Sequence, residues 1–297
     1  MNWCIFYVIL TMHCIYICGG TEDEEEFSQL IVGGYRRNDT KFTKYIVSLK
    51  YGKQYYIYGD NHVCAGIIIS IRSVLTAAHC LCKVRKKEDK VIQVKPARKY
   101  TVVAGSKYRL QLISTTQSME VQKIFVHPKY DDVRLTADVG LLLLKKEFTF
   151  DGTTVAPIPL ATETPKIDTK CIAGGWGMVY WLGPTPDNII FVDINILDED
   201  YCQDILPFFA VGVICAGNKK TPHLGTNPGD SGGPLICNGF VCGVVSAGKA
   251  GDMAYPNMYA DVAYYRDWIL DPTSDARQSY YFAKLIFVKI VLVVSLL

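Results

Sequence analysis

The 297-residue sequence has little net charge, formally +2, so it offers no strong field of either sign for nucleic acid or an acidic partner. It has no Gly-rich phosphate cradle followed by Lys and no zinc-finger spacing of Cys and His. Nucleotide, nucleic-acid and structural-zinc functions are thereby disfavoured. It also lacks internal repeats and low-complexity linkers, which argues against a solenoid or an array. With 49% hydrophobic and 20% charged residues, it is neither disordered nor fibrous in composition.

What the chain does have is cysteine. Eleven are present, many for a reducing compartment. Residues 1–20 are apolar, uncharged and end in Cys18, Gly19 and Gly20, the pattern of a signal peptide without the usual basic start. A short membrane anchor is the alternative, although the acidic run Glu22 to Glu26 ends the apolar stretch. Removing residues 1–20 takes away Cys4, Cys14 and Cys18 and leaves an even eight, which suits a bridged secreted domain. From Tyr280 to Leu297 the chain is apolar again. Three readings stay open for this end: a removed lipid-anchor signal following Thr273 to Ala276, a short membrane-spanning tail, or a segment packed on the domain. Lys284 and Lys289 count against both membrane readings, and a spanning helix needs about 20 apolar residues.

Between Ile31 and Leu270, short β-branched runs are broken by turn residues. Residues 66–70, 100–104, 121–126, 139–144 and 239–245 are examples, and their spacing predicts an all-β barrel or sandwich. Two stretches read as helical: Asp198 to Ile205, with acidic residues at its start, and Val262 to Leu270, with Val262, Tyr265 and Ile269 on one face. Lys83 to Lys99 is basic and reads as a solvated loop or as a rim for substrate.

Serine-dependent peptide hydrolysis needs a hydroxyl beside a base, a carboxylate that orients the base, donors for the oxyanion, and a pocket. A lone serine signals nothing. Gly229-Asp230-Ser231-Gly232-Gly233-Pro234 is different, because flanking glycines permit the turn that aims amide hydrogens at one point. Leu75-Thr76-Ala77-Ala78-His79-Cys80 and Ala137-Asp138-Val139-Gly140-Leu141-Leu142 complete the set. Together these segments resemble the chymotrypsin-like (trypsin-like) serine protease family over residues 31–270, in the order His, Asp, Ser. The resemblance implies two packed six-stranded antiparallel β-barrels, a C-terminal helix, and a catalytic cleft between the barrels. Ser231 is then the expected nucleophile, His79 the general base and Asp138 the orienting carboxylate, with the amides of Gly229 and Ser231 as oxyanion hole. Removing one such donor costs roughly 3 kcal/mol. His62, His127 and His223 lack a matching context and read as surface or core residues.

The resemblance extends to activation. Ile31-Val32-Gly33-Gly34 is similar to the family's mature N-terminus, so residues 21–30 read as an acidic propeptide. Cleavage before Ile31 would free an ammonium to pair with Asp230 and order the oxyanion loop. The residue before the cut is Leu30, not Arg or Lys, so the activator must prefer leucine or the protein must process itself. Family-like bridges are expected for Cys64–Cys80, Cys171–Cys237 and Cys202–Cys215. By default Cys82 then pairs with Cys242. The pocket-side bridge of the family is missing, with Asn227 at one end and no cysteine from Gly248 to Tyr259.

The resemblance places Gly225 and Thr226 at the pocket base, Ser246 and Gly248 on one wall, and Asn257 where its side chain would shorten or polarise the pocket. No aspartate stands at Gly225, and Ala247 replaces the usual tryptophan. The expected preference is therefore apolar or mid-sized, chymotrypsin- or elastase-like, with leucine allowed. Asp252 would reverse this if it turned inward. Ser106 to Ser118 carries no carboxylate, so no calcium loop, metal or other cofactor is expected. Asn38-Asp39-Thr40 is an N-glycosylation sequon. Expected partners are protein or peptide substrates, protein inhibitors and an activating protease. A non-catalytic homologue acting as a binding or regulatory protein is the alternative, but such chains lose a triad residue or Gly229, and none is lost here. An esterase would show a different order of sheet and helix.

Overall fold

The β-branched runs of the sequence pair into two closed sheets. Strands β1 (Ile46–Tyr51), β2 (His62–Ile68), β3 (Ser73–Thr76), β4 (Tyr100–Ala104), β5 (Gln117–Val126) and β6 (Gly140–Leu144) close in the order β1-β2-β3-β6-β5-β4. Strands β7 (Lys170–Gly175), β8 (Ile190–Ile196), β9 (Val213–Gly217), β10 (Pro234–Cys237), β11 (Phe240–Ala247) and β12 (Asn257–Asp261) close in the order β10-β11-β12-β9-β8-β7. The structure is a computed structural model that describes residues 34–36, 41–84, 91–180, 182–206, 209–221, 224–248 and 255–273. Leu30, Ile31, Asn38, Asp252, His223 and the apolar segments at both ends lie outside the described residues. Among the described residues no helix is long and apolar enough to cross a membrane.

Among the described residues every strand pair is antiparallel, and closure leaves neither barrel with an open edge. Leu49, Ile67, Val74, Leu75 and Leu142, from both faces of the sheet, are fully buried in the first barrel. Truncating one of them, as in Leu75→Ala, would cost about 2–5 kcal/mol. The barrels meet along the site-bearing segments. The Ala65 amide in β2 donates to the Ser231 carbonyl at 2.8 Å. Gly232 (φ +79°) follows, where a Cβ would collide with Thr76 and the Ala65 carbonyl oxygen. Only glycine allows that approach.

Helices are few and short. The turn α1 (Ala78–Leu81) carries His79. Helix α2 (Glu199–Ile205) is capped by Asp198, whose carboxylate accepts from the Tyr201 amide at 3.1 Å. The helix expected from Val262 is shorter, α3 (Arg266–Leu270). The Asp261 carboxylate accepts from the Ala263 amide at 2.9 Å and the Tyr264 amide at 3.4 Å, which holds residues 262–265 as turns.

Among the described residues three disulfides join Cys64–Cys80, Cys171–Cys237 and Cys202–Cys215. Each is worth roughly 2–4 kcal/mol. The expected Cys82–Cys242 bridge is not formed, and both are free and buried. Cys82 packs with Ala78 and Tyr130 beside α1, whereas Cys242 lies in the interior of the second barrel. A bridge requires the two Cα atoms within about 7 Å, and these sit in separate cores.

Candidate active site

His79 is delivered by α1 and Asp138 by the turn entering β6. The imidazole Nδ1 lies 2.7 Å from Asp138 Oδ2, and the His79 amide donates to Oδ1 at 2.8 Å. The Ser246 hydroxyl donates to Oδ2 at 2.6 Å. A carboxylate only accepts, so Nδ1 carries the ring proton and the Nε2 lone pair is left as a base. Burial alone would raise the Asp138 pKa. The His79 imidazole, its hydrogen bond, and the Ser246 and His79-amide bonds reverse this and hold it below the ordinary range. Burial would lower His79, but the charge and hydrogen bond of Asp138 win and raise it. The ring keeps 28% of its side-chain surface exposed, so it remains reachable from the cleft.

The backbone leading to Asp138 is strained. Leu135 and Ala137 have φ of +53° and +50°. The Ala137 amide donates to the Tyr265 hydroxyl at 3.1 Å, and His127 stacks edge-on against Tyr265 and Trp268. The C-terminal turn and α3 thus pin the segment that aims the carboxylate. His127 is buried, the core branch of the surface-or-core reading.

The second barrel supplies the other half. Gly229 adopts φ +107°, a conformation closed to ordinary side chains, and precedes Asp230 and Ser231. Asp230 is wholly buried and accepts from the Gly177 amide at 2.7 Å and the Asn227 amide at 2.9 Å. Burial pushes its pKa up to about 6 against those two bonds. The Gly174-Gly175-Trp176-Gly177 stretch forms its cradle, since a Cβ on Gly175 or Gly177 would overlap the carboxylate.

His62 was not expected at this site. Its Nε2 lies 3.0 Å from the Gly229 carbonyl oxygen and its Nδ1 2.8 Å from Ser48 Oγ. A carbonyl only accepts, so Nε2–H donates to Gly229 and Nδ1 accepts from Ser48. Burial pushes the ring pKa down to about 4, with Arg109 and Lys50 adding to the shift, so His62 is neutral at pH 7. It acts as a fixed post for Gly229. No local pattern marks it, because its partner is 167 residues away.

Of the five expected pocket residues, the structure brings Gly225, Thr226, Gly248 and Asn257 together. Asn257 Oδ1 accepts from the Thr226 amide at 2.8 Å and Nδ2 donates to the Thr226 carbonyl at 3.1 Å. A Cβ on Gly225 or on Gly248 would overlap this carboxamide, so Asn257 fills the space between the two. Ser246 faces Asp138 instead, through the bond already described. Cys64, His79 and Cys80 place three ligand-type atoms within 4.8 Å of one another, but the two sulfurs are bonded together and supply no thiolate. Ser106 to Ser118 is organised by a side-chain cation: the buried Arg109 guanidinium donates to the carbonyls of Gly59, Pro186 and Thr185 and to Thr185 Oγ1.

The trypsin family model matches residues 31–269. Trypsin V-A of Rattus norvegicus is 28% identical over 91% of this chain and 97% of its own length. Mast cell protease 2 of Meriones unguiculatus is 32% identical over 69% of this chain and 77% of its own. Among solved structures, neuropsin, a serine protease expressed in the limbic system of mouse brain, superposes with a TM-score of 0.67 at 27% identity, covering 82% of this chain and 99% of that one. Signatures, barrels and relatives agree: the chain belongs to the trypsin family and is a serine endopeptidase.

Proposed function

We propose that Ser231 is the nucleophile, His79 the general base and Asp138 its orienting carboxylate. The observation that carries this is the Nδ1–Asp138 hydrogen bond of 2.7 Å, which fixes the tautomer with Nε2 unprotonated. In the reaction, Ser231 Oγ attacks the scissile carbonyl while Nε2 takes its proton. The amides of Gly229 and Ser231 receive the developing oxyanion, and the imidazolium is stabilised by Asp138. Nε2 then protonates the leaving amine, and water repeats the sequence on the acyl-enzyme.

The enzyme is read as secreted, with residues 1–20 removed, residues 21–30 as propeptide and a glycan at Asn38. Activation by cleavage between Leu30 and Ile31 is supported by the buried Asp230, whose two amide donors leave its charge uncompensated. Specificity is non-tryptic. Asn257 between Gly225 and Gly248 makes the pocket short, and no carboxylate stands at Gly225 to receive Arg or Lys. Short aliphatic side chains fit best, with leucine as the upper limit, which is compatible with self-processing at Leu30.

The test is covalent labelling. The protein cut before Ile31 should react with a serine-directed fluorophosphonate, and Ser231→Ala should abolish the reaction. Labelling that persists in Ser231→Ala would sink the assignment. A P1-scanning peptide library then reads the pocket, and robust cleavage after Arg would overturn the specificity.

A further inference from the structure

The segment from Lys83 to Lys99 holds eight Lys and Arg residues, and its composition alone suits a solvated loop. One of them turns inward. Lys83, Arg98 and Lys99 are exposed, whereas Lys95 is half-buried against the turn α1 that carries His79. A short ladder brings it there. Cys82 and Val94 form an antiparallel bridge, the Lys83 amide donates to the Gln93 carbonyl at 2.8 Å, and the Lys95 amide donates to the Leu81 carbonyl at 2.8 Å. The chain returning from the basic loop is thereby laced to the exit of α1.

The Lys95 side chain adds a contact of another kind. Its Nζ donates to the Cys80 carbonyl at 3.1 Å and lies 5.3 Å from the centre of the Tyr51 ring. The Tyr100 hydroxyl donates to the same carbonyl at 2.6 Å. Carbonyls at the end of a helical turn have no partner within it. This one receives two donors from outside, one of them charged. Cys80 follows His79 directly and is bridged to Cys64 on β2. The backbone beside the imidazole is therefore held by Asp138 at the His79 amide and by Lys95 and Tyr100 at the Cys80 carbonyl. Confining a lysine chain costs rotamer entropy and hydration. Its exposed neighbours avoid both costs, so the inward turn of Lys95 calls for a return other than solubility.

The charges around the ring supply that return. Asp138 faces His79 from the turn before β6, Ser246 reaches the same carboxylate from β11, and Lys95 stands on the far side of α1. Around Lys95 lie Cys82, Tyr51 and Tyr100, with Lys99 at 5.7 Å from the Tyr51 ring centre. Tyr130 and Asp132 face Cys82 from the segment before Asp138. Burial pushes Cys82 up to about 11, so it stays a thiol. Burial lowers His79, Asp138 more than reverses this, and the Lys95 ammonium opposes Asp138. A base raised too far is already protonated when it is needed.

We propose that Lys95 is a positioning residue for the general base: its ammonium, held at the Cys80 carbonyl, opposes the positive charge that His79 takes up and keeps the ring neutral to lower pH. The proposal rests on the reading of His79 as that base.

The experiment uses the mature enzyme and follows the acid limb of kcat/KM on one peptide amide. In Lys95→Met and in Lys95→Gln the limb should move up by about half a pH unit, the order expected of a charge partly screened by solvent. Below the limb that is about a threefold loss. Lys95→Gln keeps a donor for the Cys80 carbonyl, so it tests the charge even where Lys95→Met does not fold. Lys95→Arg should hold the wild-type limb. Tyr100→Phe removes a donor from the same carbonyl without removing a charge, and should also leave the limb in place. An imidazole titration of His79 by NMR, with Ser231→Ala as background, should show the same upward shift without turnover. An unmoved limb or an unmoved titration in both neutral variants would overturn the proposal. So would an equal shift in Lys95→Arg or Tyr100→Phe, which would mark a loosened turn instead of a lost charge. An imidazole that shifts in a protein that cuts no peptide and takes no fluorophosphonate would instead mark failure of the endopeptidase reading, with the hold of Lys95 on His79 intact.

Discussion

Two buried aspartates sit in the two halves of the cleft, and their environments push them in opposite directions. Asp138, in the first barrel, is held below the ordinary carboxylate range. Asp230, in the second, is pushed up to about 6. Burial acts on both alike, at 1% and 0% exposed. The difference is the partner. Asp138 has an imidazole, a hydroxyl and an amide, whereas Asp230 has two backbone amides among the described residues. Amides alone do not offset the desolvation of a full charge, and a titratable partner does. The first barrel therefore presents a finished site, and the second a site that gains from an added cation.

The largest expected effect removes the finished half. Asp138→Asn should lower kcat by about 10⁴ with little change in fold, because the asparagine amide favours the wrong imidazole tautomer. Steady-state kinetics on a peptide amide would check this, and a loss below tenfold would break the contrast.

The next effect concerns Asp230 in the uncut chain. A group whose folded pKa is raised contributes stability that is fully present below its unfolded value. That contribution is lost as pH rises through the folded pKa. For Asp230 the window runs from the ordinary 3.8 up to about 6. Relative to wild type, Asp230→Asn should therefore gain about 2 kcal/mol between pH 4 and pH 7. Urea titrations at the two pH values would show it, and a pH-independent difference would refute it. Once Ile31 is free, the gain should vanish.

Asp138 has the opposite sign. Its stabilising contribution is present above the unfolded carboxylate range and fades as pH falls through its lowered folded value. His79, raised by Asp138, contributes stability that is fully present below its ordinary 6.5 and is lost as pH rises through its folded value. Catalysis needs the neutral ring, so the acid limb of kcat/KM should lie above 6.5 and move down in Asp138→Asn.

A smaller effect tests the cradle. Gly177→Ala places a methyl against the Asp230 carboxylate and should cost about 1–3 kcal/mol, read by chemical denaturation. The smallest should come from His62→Gln, which keeps a donor near Gly229 but loosens it. We expect about a tenfold loss of kcat, below the 10²–10³ of removing an oxyanion donor outright. KM on the same peptide should be nearly unchanged.

The sequence disclosed what is encoded locally. The segment 229–234 is six adjacent residues, and His79 and Asp138 each stand in a short context of their own, so all three could be proposed from sequence, and the structure pairs His79 with Asp138. The β-branched runs announced the strands, and Asp198 announced α2. Helix α3 was overread because the period of Val262, Tyr265 and Ile269 hid the turn that Asp261 imposes. Cysteine parity was a poor guide to pairing, because an even count says nothing about distance across two cores. His62 and Arg109 were illegible for a different reason. Their roles are set by carbonyl oxygens on remote loops, and carbonyls carry no residue signature. Asn257 was visible as an oddity, but its hold on Thr226 emerged only in three dimensions.

The unbridged pair Cys82 and Cys242 has a consequence for the life of the molecule. Burial pushes both thiols up to about 11, so in the folded protein almost no thiolate exists to attack the three disulfides. The fold itself is the lock on its own covalent pattern. Heat or denaturant that opens either barrel releases two nucleophiles among six bridged sulfurs, and eight cysteines can pair in 105 ways. Thermal inactivation should then become irreversible fastest in mildly alkaline solution, with durability governed by how seldom the cores open.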